Sequence, residues 1–189
     1  MPPREIWTIG HSTRTADDLL ALLAASSVAL VADVRKYPMS RRLPQFNRDE
    51  FARFLGIAGV KYQHFEALGG RRDRTKDEAA RSPNHAWRVE AFNAYADHAA
   101  TPEFEHALAE LEALATARRT AILCAEALPW QCHRRIIADA LIARGWGVID
   151  IIGAGKVEPH AMTPFARVEG TRVSYPELPL FEISRSERS

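Results

Sequence analysis

The sequence predicts an α/β domain of three layers, a mostly parallel central sheet with helices on both faces. Short apolar runs alternate along the chain with stretches that repeat their apolar residues at helical spacing, which is the pattern of strand–helix units. Several of those runs are apolar without interruption, as strands covered on both faces require. At 189 residues, 47% hydrophobic and 26% charged, the chain has the size and composition of one folded domain.

Residues 6–9 form the first apolar run and end in Gly10-His11-Ser12-Thr13. Leu19, Leu20, Leu22 and Leu23 follow at helical spacing, so the segment reads strand, turn, helix. Thr15 with Asp18 makes a capping-box pattern, and Asp17 and Asp18 suit the positive end of the helix dipole. Residues 28–34 are a continuous apolar run broken only by Asp33, with Arg35 just beyond. Asn47 with Glu50 repeats the capping pattern before Phe51, Phe54 and Leu55, and Gly59 stops that helix before a strand over residues 60–65.

Residues 69–84 carry two glycines, many charges and no periodicity, and are expected to be a mobile loop or lid. Trp87, Phe92 and Tyr95 place a helix over residues 87–99. Thr101-Pro102-Glu103 opens another through Phe104, Leu108, Leu111 and Leu114, with Thr as N-cap and Pro at the first helical position. Residues 120–125 read as a strand, 126–131 as a connection containing Pro129, and 132–144 as an amphipathic helix closed by Gly145. The last clear strand spans 146–152. The expected organisation is one domain over residues 1–155 and a C-terminal extension over 156–189, docked or partly flexible.

No apolar run approaches the roughly 18 residues of a membrane helix, and Met1-Pro2-Pro3-Arg4-Glu5 lacks the apolar core of a secretion signal. A cytoplasmic protein with no membrane contact is expected. A net charge of +1 argues against coating nucleic acid by bulk charge, so any anion site must be local. Charge is nonetheless polarised. Residues 35–81 hold twelve Lys and Arg against six Asp and Glu, and Tyr37, Phe46, Tyr62 and Trp87 are placed to stack on bases of single-stranded or flipped nucleic acid.

In parallel sheets ligands sit beyond the carboxyl ends of the strands. That rule selects residues 10–13, 33–42, 66–72 and 124–135, which concentrate His11, Ser12, Asp33, Arg35, Arg41, Arg71, Cys124, Glu126, Cys132, His133 and Arg134. Five ordered blocks within them, Thr8-Ile9-Gly10-His11-Ser12, Asp33-Val34-Arg35 with Pro38 and Ser40, Leu68-Gly69-Gly70, Cys124-Ala125-Glu126 and Cys132-His133-Arg134, resemble the hallmark blocks of the family catalogued as domain of unknown function 488. The resemblance spans about residues 5–155. It implies a three-layer α/β fold in a bacterial or archaeal cytoplasmic protein and carries no established activity.

Arginines and helix N-termini at one sheet edge make an anion site, while carboxylates, imidazoles and thiols move protons or attack. The expectation is therefore an enzyme, a hydrolase or group transferase, acting on a phosphate-bearing substrate such as a nucleotide or nucleic acid. Ser12, Asp33, Arg35, Arg41, Arg71 and Arg134 would bind substrate and phosphate, Glu126, His133 and His11 would handle protons, and Cys132 is a candidate nucleophile near a helix N-terminus. The rival is a non-catalytic adaptor that binds nucleic acid or protein with the same edge. Cys124 is expected to be a structural thiol, because thiolate-loop folds place an arginine six positions after the cysteine and Trp130 stands there.

No metal is expected, since no C-x-x-C or H-x-x-x-H spacing is present and Cys132 and His133, adjacent on a helix, would point apart. Gly69-Gly70 and Gly153-Ala154-Gly155 match neither dinucleotide nor Walker loops, so no cofactor is expected. Near the C-terminus, Glu177-Leu178-Pro179-Leu180-Phe181 resembles the Leu-x-Leu-Phe peptide with which bacterial DNA-processing proteins hold the sliding clamp. Leu178, Leu180 and Phe181 would be the anchors, with Glu177 where Gln is usual; the alternative is docking on the domain's own surface.

Overall fold

The computed structural model describes residues 4–177. Five parallel strands, β1 (Glu5–Gly10), β2 (Leu30–Asp33), β3 (Lys61–His64), β4 (Thr120–Cys124) and β5 (Gly147–Gly153), form a sheet that β6 (Lys156–Pro159) extends antiparallel, in the order β3-β2-β4-β1-β5-β6. Helices α1 (Ala16–Ala25) and α2 (Arg48–Ile57) cover one face. Helices α4 (Glu90–His98), α5 (Pro102–Ala117) and α6 (Arg134–Ala143) cover the other.

The period of two along each strand sorts side chains between these layers. Ile6, Leu30, Ala32, Ile122 and Val148 pack with Tyr95, Phe104, Leu108, Leu111, Ile136 and Leu141. Trp7, Ile9, Val31, Ala121 and Leu123 pack with Leu19, Leu23, Phe51 and Leu55. Both faces of the central strands are thus apolar, which is why those segments read as unbroken runs.

The connection after β1 passes through α1 to reach β2 on one side, whereas the connection after β4 passes through α6 on the opposite face to reach β5 on the other side. Adjacent strands β1 and β4 therefore part at their carboxyl ends and open a crevice. Such switch points are where open α/β sheets bind ligands.

Local chemistry departs from the sequence expectations at several places. The Thr15–Asp18 capping box forms, with Thr15 Oγ1 accepting from the Asp18 amide at 3.0 Å. Asn47 is the N-cap residue of α2 but its side chain makes no capping bond; its Oδ1 accepts from the Ser40 amide at 2.6 Å instead, because a side chain that mimics a backbone turn serves a loop as readily as a helix. The segment expected to be an irregular lid contains a five-residue helix, α3 (Lys76–Ala80), opened by its own Thr75–Glu78 capping box. Arg74 pairs with Glu90 at 2.7 Å and with Asp97, while Ser82 and Asn84 donate to Asp97 at 2.6 and 2.8 Å.

The sheet continues past the expected boundary at residue 155 into β6, and β7 (Arg167–Glu169) and β8 (Arg172–Ser174) make a small hairpin. Tyr175 is fully buried: its amide donates to Asn84 Oδ1 at 2.8 Å and its hydroxyl to Asp139 Oδ2 at 2.8 Å. Residues 156–175 are part of the domain's packing. Leu178, Leu180 and Phe181, the candidate clamp anchors, lie outside the described residues. No helix of the described residues is long and apolar enough to cross a membrane.

Candidate functional site

The crevice is built around Gly10, which pairs in register with Cys124 at the ends of β1 and β4. Beyond it the His11 and Ser12 amides donate to the Cys124 and Ala125 carbonyls at 2.9 and 2.8 Å. Ser12 reaches this position with φ of 50°, a left-handed conformation that non-glycine residues adopt at a cost and that concentrates at functional sites. A Cβ on Gly10 would lie 1.8 Å from the Glu126 carbonyl oxygen, so only glycine lets the chain after β4 cross here.

Arg134 holds that crossing from beneath. It is 1% exposed, and its guanidinium donates to the Glu126 carbonyl at 2.6 Å, Thr8 Oγ1 at 3.3 Å and Cys132 Sγ at 3.3 Å. The expected phosphate ligand is therefore an internal strut, because its position at the first turn of α6 points it under the sheet edge. Thr8 in turn donates to Asp150 at 2.6 Å, and Asp150 meets His160 Nδ1 at 2.7 Å.

Asp33 and Arg35 form a second fixed unit. The fully buried Asp33 carboxylate accepts from Arg35 Nη2 at 2.5 Å, Arg35 Nε at 2.9 Å and the Tyr62 hydroxyl at 2.7 Å. Burial and the Asp33 charge push the Tyr62 hydroxyl up, so it stays a donor. Arg35 Nη1 donates onward to His11 Nε2 at 3.4 Å, while His11 Nδ1–H donates to the Ser12 carbonyl at 2.9 Å. Burial lowers His11 to about 4 and its ring stacks on Phe46, so it is a neutral imidazole with a defined tautomer.

The third unit joins β4 to α6. Cys132 and His133 precede the helix, Cys132 being extended and His133 only its first cap, so their side chains converge instead of diverging. His133 Nε2–H donates to the Val34 carbonyl at 3.0 Å, which leaves the Nδ1 lone pair facing Cys132 Sγ at 3.7 Å and Cys124 Sγ at 3.9 Å. Gly70 lies against this ring; a Cβ there would be 2.4 Å from Nδ1. Burial disfavours a thiolate at Cys132, but the hydrogen bond from the Cys124 thiol and the charge of Arg134 hold Cys132 below the usual thiol range. Cys124 is pushed up by its hydrogen bond to Cys132 and by burial.

Above these units lies one open cleft of two lobes that share Arg35, Tyr37, Met39, Ala125, Glu126 and Gln131. Cys124, Cys132, His133, Lys36, Gly70 and Arg71 line one lobe. His11, Ser12 and Arg42 line the other. Arg41 is exposed outside the lining, and Arg42, which the sequence did not single out, takes its place. Glu126 is exposed to the cleft and its carboxylate takes no hydrogen bond or ion pair from a described residue. Of the four aromatics expected to stack on bases, Phe46 and Trp87 are buried in the core and Tyr62 is bonded to Asp33; Tyr37, 65% exposed, alone stands free at the rim.

Comparison with curated proteins finds no match, and comparison with solved structures finds none either. A family model, described as domain of unknown function DUF488, matches residues 15–141, more than half the chain. The match takes in the Asp33–Arg35, Leu68–Gly70, Cys124–Glu126 and Cys132–Arg134 blocks that build the cleft floor. By that match the chain belongs to the family of the domain of unknown function DUF488.

Proposed function

We propose that the protein is an enzyme that hydrolyses or transfers a group on a phosphate-bearing substrate, a nucleotide or nucleic acid, in this cleft. One observation carries the proposal: the ionised residues lining the cleft are Arg35, Lys36, Arg42 and Arg71 against Glu126 as the single carboxylate. Cations around one unpaired acid favour an anion whose reacting bond is brought to that acid. Two buried free cysteines fit the reducing cytoplasm in which such substrates abound.

Arg42 and Arg71 hold phosphate, and Arg35, immobilised by Asp33, presents a fixed edge of charge. Lys36 is shared with Glu66 at 3.0 Å and adds to the field. Glu126 takes or gives the proton, or attacks as a carboxylate. His11, neutral and bonded on both nitrogens, positions Arg35. His133 and Cys132 line one lobe but face each other, with Nδ1 3.7 Å from Sγ, so neither is assigned to proton transfer here.

The adaptor reading is favoured by the rim, where Tyr37 and Met39 are 65% and 78% exposed. Glu126→Gln separates the two. With a panel of nucleotides and labelled single-stranded oligonucleotides, an enzyme loses about 10²–10⁴-fold in turnover while binding persists. An unchanged rate overturns the role of Glu126, and equal phosphate binding by wild type and the Arg42→Ala, Arg71→Ala double variant overturns the cleft as an anion site.

A further inference from the structure

From the convergence of Cys124 Sγ, Cys132 Sγ and His133 Nδ1 in the wall of the cleft, we infer that the protein binds one zinc ion there, with the fourth coordination position open to the cleft. The three donor atoms lie within 4.8 Å of one another. Tetrahedral zinc with Zn–S of about 2.3 Å and Zn–N of about 2.0–2.1 Å has an S···N edge of roughly 3.6 Å. The two S···Nδ1 separations, 3.7 and 3.9 Å, are within a few tenths of that edge before any ion draws the groups together.

The surroundings are those a ligand set needs. A ligating histidine uses one nitrogen and donates its other N–H to a fixed acceptor, and His133 Nε2–H does so to the Val34 carbonyl, which leaves Nδ1 as the ligating atom. Cys132 is bonded from outside the triad by Arg134 Nε. That guanidinium is buried, among the described residues no carboxylate lies within ion-pair distance of it, and its Nε points at Cys132 Sγ from 3.3 Å, so it holds that sulfur in place beside the other two donors. Zinc is the divalent ion that two thiolates and an imidazole suit. All three ligands line the cleft, which gives the ion a path in and leaves one site for water or substrate.

The inference is independent of the role of Glu126, and its test reads the metal alone. The full-length protein, reduced and stripped with chelator, is titrated with cobalt(II), then with zinc against a chromogenic chelator. One equivalent of cobalt should give thiolate-to-cobalt charge-transfer absorption that zinc abolishes. Cys124→Ser, Cys132→Ser and His133→Gln should each weaken zinc at least the ~100-fold that loss of an outer-shell partner can cost. Glu126→Gln should leave the spectrum unchanged. Absence of thiolate bands from folded wild type in excess cobalt overturns the inference without recourse to any variant. Wild-type affinity in all three ligand variants overturns it equally, and either result leaves the cleft proposal to its own assay.

Discussion

Gly10→Ala tests the construction of the site most directly. The added Cβ would meet the Glu126 carbonyl oxygen at 1.8 Å where ordinary contact is 3.4 Å or more, so the chain after β4 must move about 1.6 Å. Overpacking of this kind costs about 1–3 kcal/mol. Moving the carbonyl also breaks the 2.6 Å bond from Arg134, and a hydrogen bond to a charged group is worth about 1.5–3 kcal/mol. The expected loss is about 2.5–6 kcal/mol, or roughly 5–24 °C in melting temperature for a domain of this size. Gly56→Ala is the matched control, because its Cβ would meet nothing within 4 Å in the exposed last turn of α2; alanine there should stabilise by about 0.5–1 kcal/mol. Urea unfolding followed by circular dichroism measures both. Where Gly10→Ala remains folded, turnover should fall about 10²-fold, the cost of a displacement near 1 Å at a reacting group. A Gly10→Ala protein as stable and active as Gly56→Ala would refute the claim that glycine permits the crossing.

Three further outcomes are expected. His11 takes a proton near 6.5 when unfolded but only near 4 in the fold, so its neutral form contributes stability that is complete above pH 6.5 and lost as pH falls toward 4; unfolding free energies from urea titrations should drop by about 3 kcal/mol more in wild type than in His11→Asn over that window, and parallel profiles would exclude the effect. Tyr175→Phe leaves one oxygen of the fully buried Asp139 carboxylate without its donor and should cost about 1–3 kcal/mol by the same denaturation assay. Asp97→Ala removes the acceptor that Arg74, Ser82 and Asn84 share, leaving Arg74 only its pair with Glu90, so hydrogen exchange should accelerate over residues 72–84 while β4 stays protected; unchanged exchange would show that α3 is held by something else.

The layered sheet was legible because its central strands are buried on two faces, and burial of that kind leaves nearly continuous apolar runs such as Leu30–Asp33 and Thr120–Cys124. Elements that bury nothing left no such mark. Helix α3 has no buried side chain, so periodicity could not reveal it, although Thr75 with Glu78 spelled the same capping box as Thr15 with Asp18. Strand β6 is exposed throughout and owes its place to the turn at Gly155, where φ is 67°, and to pairing along one edge. Tyr175 falls in the C-terminal extension that the sequence predicts to be docked or partly flexible, without indicating a partner for it. Its burial depends on Asn84 and Asp139, 91 and 36 residues away, and no local pattern encodes such partners.

The site was legible in its residue types and less so in their directions. The rule of carboxyl ends picked out His11, Asp33, Arg35, Glu126, Cys132 and His133, which the structure places around one crevice, but it assigned Arg134 to the ligand together with Arg35, Arg41 and Arg71. Arg134 is spent on the protein itself, and the reason is a boundary of two residues. With α6 starting at Arg134, Cys132 stays extended and His133 forms the cap, so three successive side chains leave the backbone in unrelated directions: one sulfur and one imidazole towards Cys124, one guanidinium under Glu126. Had the helix begun at Cys132, its side chain and that of His133 would stand about 100° apart around the axis and could not share a partner. The 3₁₀ turn Pro129–Gln131 that precedes them ends with the Cys132 amide donating to the Pro129 carbonyl at 3.1 Å and with Cys132 extended, which separates that turn from α6 and makes a Cys-His-Arg string a convergent centre.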